Sequence, residues 1–268
     1  MKRLFYLNDK EIIIPSPTVC EMTKTHIIST GTEHTTITFN LPDAVAEFTR
    51  IRKPADIKRY ASKYGMLGVH FRPDQLREKP EYLLAAVSPT PEHTTESIHM
   101  WFYLSGYLRD VISMSEFIRN PKDSLRFGTF VNGEFYPNEG SLLGKFDAED
   151  IQTIYHLAQS GELDETKRDE LLQKFYNQRI AFILEPPTVF VDFDVDQGST
   201  NKLLNGRKCT YHLYAALFYG AWDIIVGNGV EVDYCDECKG LMIVRRKRIG
   251  TAQYCSPKCK MKAQRRNE

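Results

Sequence analysis

The sequence predicts an α+β fold, with a mixed N-terminal body, a helical second half and a small C-terminal module that carries four cysteines. Three observations predict it. Segments rich in β-branched residues alternate with turn residues near the N-terminus. Longer segments with apolar residues at helical spacing follow. Composition and charge then change abruptly after a Gly-Asn-Gly cluster at 227–229. We therefore divide the chain into residues 1–145, 146–230 and 231–268.

Turn chemistry locates the predicted strands. The dipeptide Asn132-Gly133 between two short apolar segments is the strongest hairpin signal in the chain, because both residues tolerate the positive φ that a tight hairpin turn needs. A hairpin with a polar turn is expected near the N-terminus, and Pro15 ends it. The predicted strand segments are 4–14, 34–39, 129–136 and 188–193.

Apolar periodicity and glycine positions locate the predicted helices. Gly65 and Gly161 each follow a helical pattern and are typical of helix C-caps. The most apolar long segment is expected to form a helix that packs beside the C-terminal module. The predicted helices are 42–52, 56–64, 95–118, 147–160, 165–176 and 203–226.

Charge is unevenly distributed along a chain that is neutral as a whole. The 268 residues include 35 Lys+Arg and 35 Asp+Glu, and 42% are hydrophobic, which is enough for a packed globule. Residues 231–268 contain ten basic and five acidic side chains, which leaves 25 basic and 30 acidic residues before them. A formal charge of +5 on the C-terminal module and −5 on the rest points to a local basic surface.

The apolar and cysteine patterns indicate the compartment. No apolar segment approaches the roughly 20 residues needed to span a bilayer. The N-terminus reaches Asn8-Asp9 too soon for a signal peptide. Four of the six cysteines lie in two close pairs, whereas Cys20 and Cys209 stand alone. That arrangement favours metal binding over a disulfide framework, so we expect a cytoplasmic protein.

The two cysteine pairs have the spacing of metal ligands. Cys235 and Cys238 form a CxxC turn followed by Gly240, which lets the chain reverse without a Cβ clash. Cys255 and Cys259 flank Ser256-Pro257, a hydroxyl and a proline that favour a helix start, and fall on one face of its first turn. We interpret residues 241–254 as a β-hairpin. The CxxC turn (the knuckle), the hairpin and the helix together predict a treble-clef zinc finger.

The expected metal is one structural Zn²⁺. Four thiolates close a tetrahedron and leave no position for a reactive water, so the site should not be catalytic. An iron–sulfur cluster is the competing interpretation, although the spacing is not that of the usual ferredoxin motifs. Because 38 residues are too few for an independent core, we expect the metal to replace one.

The C-terminal module also carries the predicted nucleic-acid contacts. Residues 239–266 contain ten Lys/Arg and no Asp/Glu. A zinc tetrathiolate has a charge of −2, so two or three of these cations could simply balance it, and the surplus suits phosphate binding. A solvated basic end is the alternative. The predicted contacts are Arg245, Arg246, Lys247, Arg248, Lys258, Lys260, Lys262, Arg265 and Arg266.

Residues 210–266 resemble the CGNR-type zinc-finger proteins of bacteria. The resemblance is carried by the apolar segment Tyr211-His212-Leu213-Tyr214-Ala215-Ala216-Leu217, by Cys235-x-x-Cys238 and by Tyr254-Cys255-Ser256-Pro257-Lys258-Cys259. Residues 57–68 are similar to an N-terminal element of such proteins. The Gly-Asn-Arg of the family is replaced here by Lys260-Met261-Lys262. The resemblance implies DNA-binding transcription regulation, with an N-terminal sensor or partner domain.

Two other functions stay open. The zinc module could cap the body and bind a protein instead of nucleic acid. Alternatively, Asp192, Asp194 and Asp196 could hold Mg²⁺ in a nuclease, although an edge strand explains them as well. Glu96-x-x-His99 is a weaker metal candidate. No phosphate-binding glycine loop or hydrolase elbow is present, so no catalytic residue is assigned. Because one small module binds duplex DNA weakly, we expect a homodimer or a protein partner.

Overall fold

The structure, a computed structural model, combines helices with small antiparallel sheets, which confirms the predicted α+β class. It describes residues 5–8, 11–15, 19–31, 36–70, 88–89, 95–119, 121, 128–137, 148–179, 190–195, 204–210, 213–226, 231–244 and 252–267. Within these ranges the helices are α1 (Leu41–Phe48), α2 (Pro54–Tyr64), α3 (Ile98–Arg119), α4 (Ala148–Ser160), α5 (Glu165–Arg179), α6 (Leu213–Val226) and α7 (Pro257–Asn267).

The strands form one five-stranded sheet and several smaller ones. The described strands are β1 (Phe5–Asn8), β2 (Glu11–Pro15), β3 (Val19–Met22), β4 (His26–Gly31), β5 (Thr36–Asn40), β6 (Val69–His70), β7 (Ser88–Pro89), β8 (Thr95–Ser97), β9 (Gly128–Val131), β10 (Glu134–Pro137), β11 (Phe190–Val195), β12 (Leu204–Thr210), β13 (Glu231–Tyr234) and β14 (Leu241–Val244).

The five-stranded sheet is antiparallel and has the order β11-β12-β1-β2-β5. The predicted N-terminal hairpin is confirmed as β1 and β2, and the next predicted strand is confirmed as β5. Because β1 lies beside β12, the sheet joins the beginning of the chain to residues 190–210. The three-region division of the chain stays a prediction, but its first two regions share this sheet.

The predicted helix 203–226 is wrong in its first half. Residues Leu204–Thr210 form strand β12, and only Leu213–Val226 is helical. Asn205-Gly206 weakens a helix locally. The decisive contribution is tertiary, because β12 pairs with β1 on one side and with β11 on the other. β1 is distant in sequence, so the local apolar pattern could not reveal that pairing, whereas β11 is the strand that precedes β12 along the chain.

Local signals placed most other boundaries within a few residues. Asn132 (φ 53°) and Gly133 (φ 83°) make the tight turn of the predicted β9–β10 hairpin. Gly65 ends α2 with φ 91°, as expected of a C-cap glycine. Helix α1 ends earlier than predicted, at Phe48. Helix α3 starts later than predicted, because Thr95–Ser97 pair with β4 as a strand.

The hydrophobic core is built mainly from α1, α3 and α6 and continues into the C-terminal module. Trp101 on α3 is completely buried, and Gly220 on α6 allows close contact with α1, since a Cβ there would lie 2.6 Å from the Cγ of Leu41. Val232 on β13 and Leu241 on β14 belong to the same buried cluster. The module is therefore packed onto the body rather than tethered to it.

A buried carboxylate fixes the start of α3. Glu96 is 2% exposed. Its carboxylate accepts hydrogen bonds from the backbone N–H groups of Leu67 (3.1 Å) and Gly68 (2.6 Å) and from Nε1 of Trp101 (2.9 Å). His99 is exposed. The Glu96-x-x-His99 motif is accordingly a structural clamp here, because the carboxylate oxygens are already engaged.

Replacing Glu96 by glutamine should destabilise the fold. The amide removes the negative charge and turns an N–H₂ group toward at least one buried N–H donor, so we expect a loss of about 2 kcal/mol in the free energy of unfolding. Urea denaturation measures it. Glu47→Gln is the control, because its ion pair with Lys63 is about 40% exposed on both sides and should contribute under about 1 kcal/mol. Equal losses for the two variants would contradict the clamp.

Candidate metal centre

The first pair of cysteines lies in a tight turn between β13 and β14. The backbone N–H of Cys235 donates to the carbonyl of Gly240 (2.9 Å), and that of Lys239 donates back to the carbonyl of Cys235 (2.8 Å). Lys239 has φ 56°. A Cβ on Gly240 would lie 3.3 Å from the Sγ of Cys238 and 3.1 Å from the Cγ of Arg50. Glycine therefore suits this position, because a side chain would have to displace Arg50 or Cys238 slightly.

The second pair of cysteines is positioned by the start of α7. Ser256 caps the helix as predicted: its Oγ accepts from the N–H of Cys259 (3.3 Å), and its carbonyl accepts from the N–H of Lys260 (3.1 Å). Pro257 is the first helical residue. Cys255 precedes the cap, and Cys259 lies in the first turn. A backbone bond from the N–H of Asp236 to the carbonyl of Gln253 (2.9 Å) joins the two pairs.

The four predicted ligand cysteines converge to one point. All four Sγ atoms lie within 4.8 Å of one another. Cys255 Sγ is 3.6 Å from Cys238 Sγ and 3.5 Å from Cys259 Sγ. A tetrahedron with metal–sulfur bonds of about 2.3 Å has edges of about 3.8 Å. All four thiols are free. The cluster can therefore hold one metal ion with only small adjustments.

The thiols differ in how easily they ionise. Burial opposes ionisation of Cys235, but backbone N–H groups of Cys238, Cys255 and Glu237 point at its sulfur and lower its pKa to about 7. Burial and then the neighbouring thiols raise the pKa of Cys255 to about 12. Without a bound cation, the four thiols are therefore not all ionised at the same time. A bound cation would supply the charge that stabilises them.

The predicted hairpin within residues 241–254 stays a prediction, because residues 245–251 lie outside the described residues. Strand β14 pairs with β13, which precedes the knuckle, so the CxxC turn itself joins the two strands. Residues 252–254 form no strand. Four of the predicted nucleic-acid contacts lie outside the described residues: Arg245, Arg246, Lys247 and Arg248. Their role stays a prediction.

The other predicted basic contacts all lie on α7, and the structure divides them into two groups. Lys262 Nζ is 2.9 Å and Arg266 Nη2 is 3.3 Å from Oε1 of Glu237, whose side chain is only 5% exposed. Lys262, and to a lesser degree Arg266, lower the pKa of the Glu237 carboxyl. Lys258, Lys260 and Arg265 are exposed and form no ion pair within the part of the chain that the structure describes.

Glu237 was missed by the sequence analysis. It lies between the two cysteines of the knuckle and pairs with two cations that are four residues apart on α7. That i, i+4 spacing, together with an acid inside CxxC, was the available signal. Without the fold nothing linked it to these cations, because 25 residues separate Glu237 from Lys262.

The module is attached to the body by polar contacts as well as by the core. Nε of Arg50, just after α1, donates to the carbonyl of Leu241 (2.7 Å). The hydroxyls of Ser113 on α3 and Tyr234 on β13 are 3.0 Å apart and share a hydrogen bond. A polar cleft of about 410 Å³ lies beside these contacts, between α1 and the segment that leads to Cys255. These contacts attach β13 and β14 to α1 and α3.

The remaining candidates do not join this centre in the described residues. Asp192 and Asp194 lie on β11, at the edge of the five-stranded sheet, and Asp196 is outside the described residues. Cys20 on β3 is buried in the hydrophobic core, and burial is the main cause of its raised pKa. Cys209 lies on β12 in register with Tyr6. The nuclease hypothesis stays untested.

The fold and the site together define an α+β protein with a four-cysteine centre that can bind a metal. Comparison of the chain with protein-family models, curated proteins and solved structures finds no match. The resemblance to CGNR-type proteins therefore stays a prediction. No helix in the described ranges combines the length and the apolar character that crossing a membrane requires.

Metal content should depend on the four converging cysteines and not on the isolated one. We expect about one metal ion per purified chain, measured by inductively coupled plasma mass spectrometry. Cys255→Ser and Cys259→Ser should each lower this at least several-fold, because a hydroxyl is a poor ligand for a thiolate site. Cys20→Ala, in the core, is the matched control and should retain the metal. Equal metal content in all variants would contradict the assigned ligands.

Proposed function

We propose that the chain binds one structural Zn²⁺ through Cys235, Cys238, Cys255 and Cys259, and that this ion holds α7 against nucleic acid. Four thiolates in a tetrahedron are the preferred environment of structural zinc. The donor set is entirely sulfur and complete, so the ion has no position left for a substrate or a reactive water. Its role is to fix the start of the helix relative to the knuckle.

The observation that carries the proposal is the division of the cations on α7. Lys262 and Arg266 are exposed, but both are paired with the carboxylate of Glu237. Lys258, Lys260 and Arg265 are exposed and have no acidic partner among the described residues. A helix that only balanced the zinc thiolates would need no further cations on its outer side. Unpaired cations on a rigid exposed helix are suited to phosphate contacts.

Charge distribution supports a local interface. The C-terminal module carries +5 and the remainder of the chain −5, so nucleic acid would be attracted to the module and repelled by most of the body. Duplex DNA and transcription regulation are the specific form of the proposal that the resemblance to CGNR-type proteins implies. A helix with three cations that have no acidic partner in the described part of the chain binds weakly alone, so a second copy or a protein partner is part of the proposal.

A second function is favoured by a different observation. β13 and β14 contribute to the body's hydrophobic core, and Arg50 and Ser113 bind the module directly. A module integrated in this way could act only as a cap that stabilises the body, with α7 presented to a protein. This alternative predicts no salt-dependent binding to nucleic acid.

The salt dependence of DNA binding tests the proposal. The triple variant Lys258→Ala, Lys260→Ala, Arg265→Ala should bind duplex DNA more weakly and reduce the slope of log K against log salt by about 3 units, because each phosphate contact contributes about 0.9. Fluorescence anisotropy at several salt concentrations measures both. The matched control is a second triple variant that removes the same charge from exposed positions elsewhere: Lys24→Ala, Lys58→Ala, Lys167→Ala.

The control triple should leave the slope nearly unchanged. If both triples lower it equally, binding is a general effect of net charge and α7 is not the interface. If the wild type binds no nucleic acid while it retains its metal, the cap interpretation replaces the proposal. Point variants are preferable to truncation, because removing β13 and β14 would expose part of the core.

A further inference from the structure

The outward face of α7 has an ordered arrangement of side chains. At about 100° per residue, and counting from Lys260, Gln264 lies about 40° around the helix and Met261 about 100°. Arg265 follows at about 140° and Lys258 at about 160°. The outward face thus has a central strip of one amide and one thioether, with a cation on one edge and two cations on the other. The zinc ligand Cys259 lies on the opposite side.

The central strip is exposed although it contains a large apolar residue. The Met261 side chain is 51% exposed. Only Val131 and Tyr136, at the β9–β10 hairpin, are comparable large hydrophobic residues in the described part of the chain. Gln264 is also exposed. Nothing in the fold requires an unburied methionine between lysines, because α7 attaches through Cys259 and through the ion pairs to Glu237.

This pattern matches the cross-section of a DNA groove. The major groove of B-form DNA accepts an α-helix, with base edges at its floor and phosphates along both rims. Cations on both edges of the helical face can reach the two rims, while Met261 and Gln264 meet the floor. Glutamine pairs with adenine through N6 and N7, and an apolar side chain contacts the methyl group of thymine.

We propose that α7 enters the major groove of duplex DNA and that Met261 and Gln264 determine specificity for a site containing A·T pairs. This inference rests on the proposed function and adds base recognition to it. Lys258, Lys260 and Arg265 position the helix on the phosphates. Gln264 accepts and donates hydrogen bonds at adenine, and Met261 packs on a thymine methyl.

The same face is poorly suited to other polyanions. Single-stranded RNA is usually bound by stacking on aromatic rings, and α7 contains none. The major groove of A-form RNA is too narrow for side chains to read, and uracil lacks the methyl group. A membrane-surface helix needs a broad apolar face, whereas Met261 is the one large exposed apolar residue on α7.

Thymine methyl groups provide a direct test. The full-length, metal-loaded chain is first used to select its preferred site from a random duplex library. Affinity is then measured for that duplex and for copies in which single thymines are replaced by uracil. We expect A·T pairs in the selected site and a loss of roughly threefold to tenfold at one uracil position. Met261→Ala should bind the thymine and uracil duplexes equally.

Gln264→Ala supplies an independent measurement. It should relax the preference for adenine at one position by roughly tenfold while leaving the salt slope unchanged, because no phosphate contact is lost. Lys260→Ala is the contrasting variant: it should weaken all sequences alike and lower the slope by about 0.9. Metal content and circular dichroism show whether each variant retains the helix.

The outcomes separate this inference from the proposed function. Binding with a steep salt slope but with no sequence preference and no uracil effect would overturn base reading and leave phosphate binding intact. Selective binding of RNA over DNA would also overturn it. No binding to any nucleic acid would remove the proposed function itself.

Discussion

The arrangement of the C-terminal module depends on the turn at residues 235–240. Reciprocal backbone hydrogen bonds across this turn direct N–H groups at the sulfur of Cys235 and bring Cys238 toward the second cysteine pair. Gly240 allows the turn to touch Arg50. The same turn carries Glu237, which fixes α7 from the other side. Metal ligation and helix orientation therefore have a common backbone origin.

The turn is held in place by the strands on either side of it, which belong to the body's core. Leu241 illustrates this, since its side chain is 1% exposed and its carbonyl accepts from Arg50. A zinc finger tethered by a flexible linker could be moved without affecting the rest of the chain. Here a change in metal occupancy would act on β13 and β14, and through them on α1 and α3. Packing would thus couple the binding of a metal at the four cysteines to the stability of the body.

Sequence patterns predicted those parts of the structure whose causes are local. The ligand spacing, the Ser256-Pro257 helix start and the Asn132-Gly133 turn each depend on residues a few positions apart. The errors have non-local causes. Strand β12 exists because β1 and β11 flank it. The pairing of β14 with β13, across the CxxC turn, was not predicted. Glu96 was considered a metal candidate because the N–H groups that donate to its carboxylate, those of Leu67 and Gly68, are distant in sequence.

The ion pairs of Glu237 show why the number of basic residues is an imperfect guide to an interface. The sequence offers five cations on α7, and all would be assigned to a phosphate surface by composition. Two of them pair with one nearly buried carboxylate, so they also help to orient the helix. Orientation matters because phosphate contacts require cations at fixed positions, and a rotated helix would present Cys259 and Ala263. An acid within the cysteine-bearing turn thus pairs with two of the five cations and contributes to the orientation of α7.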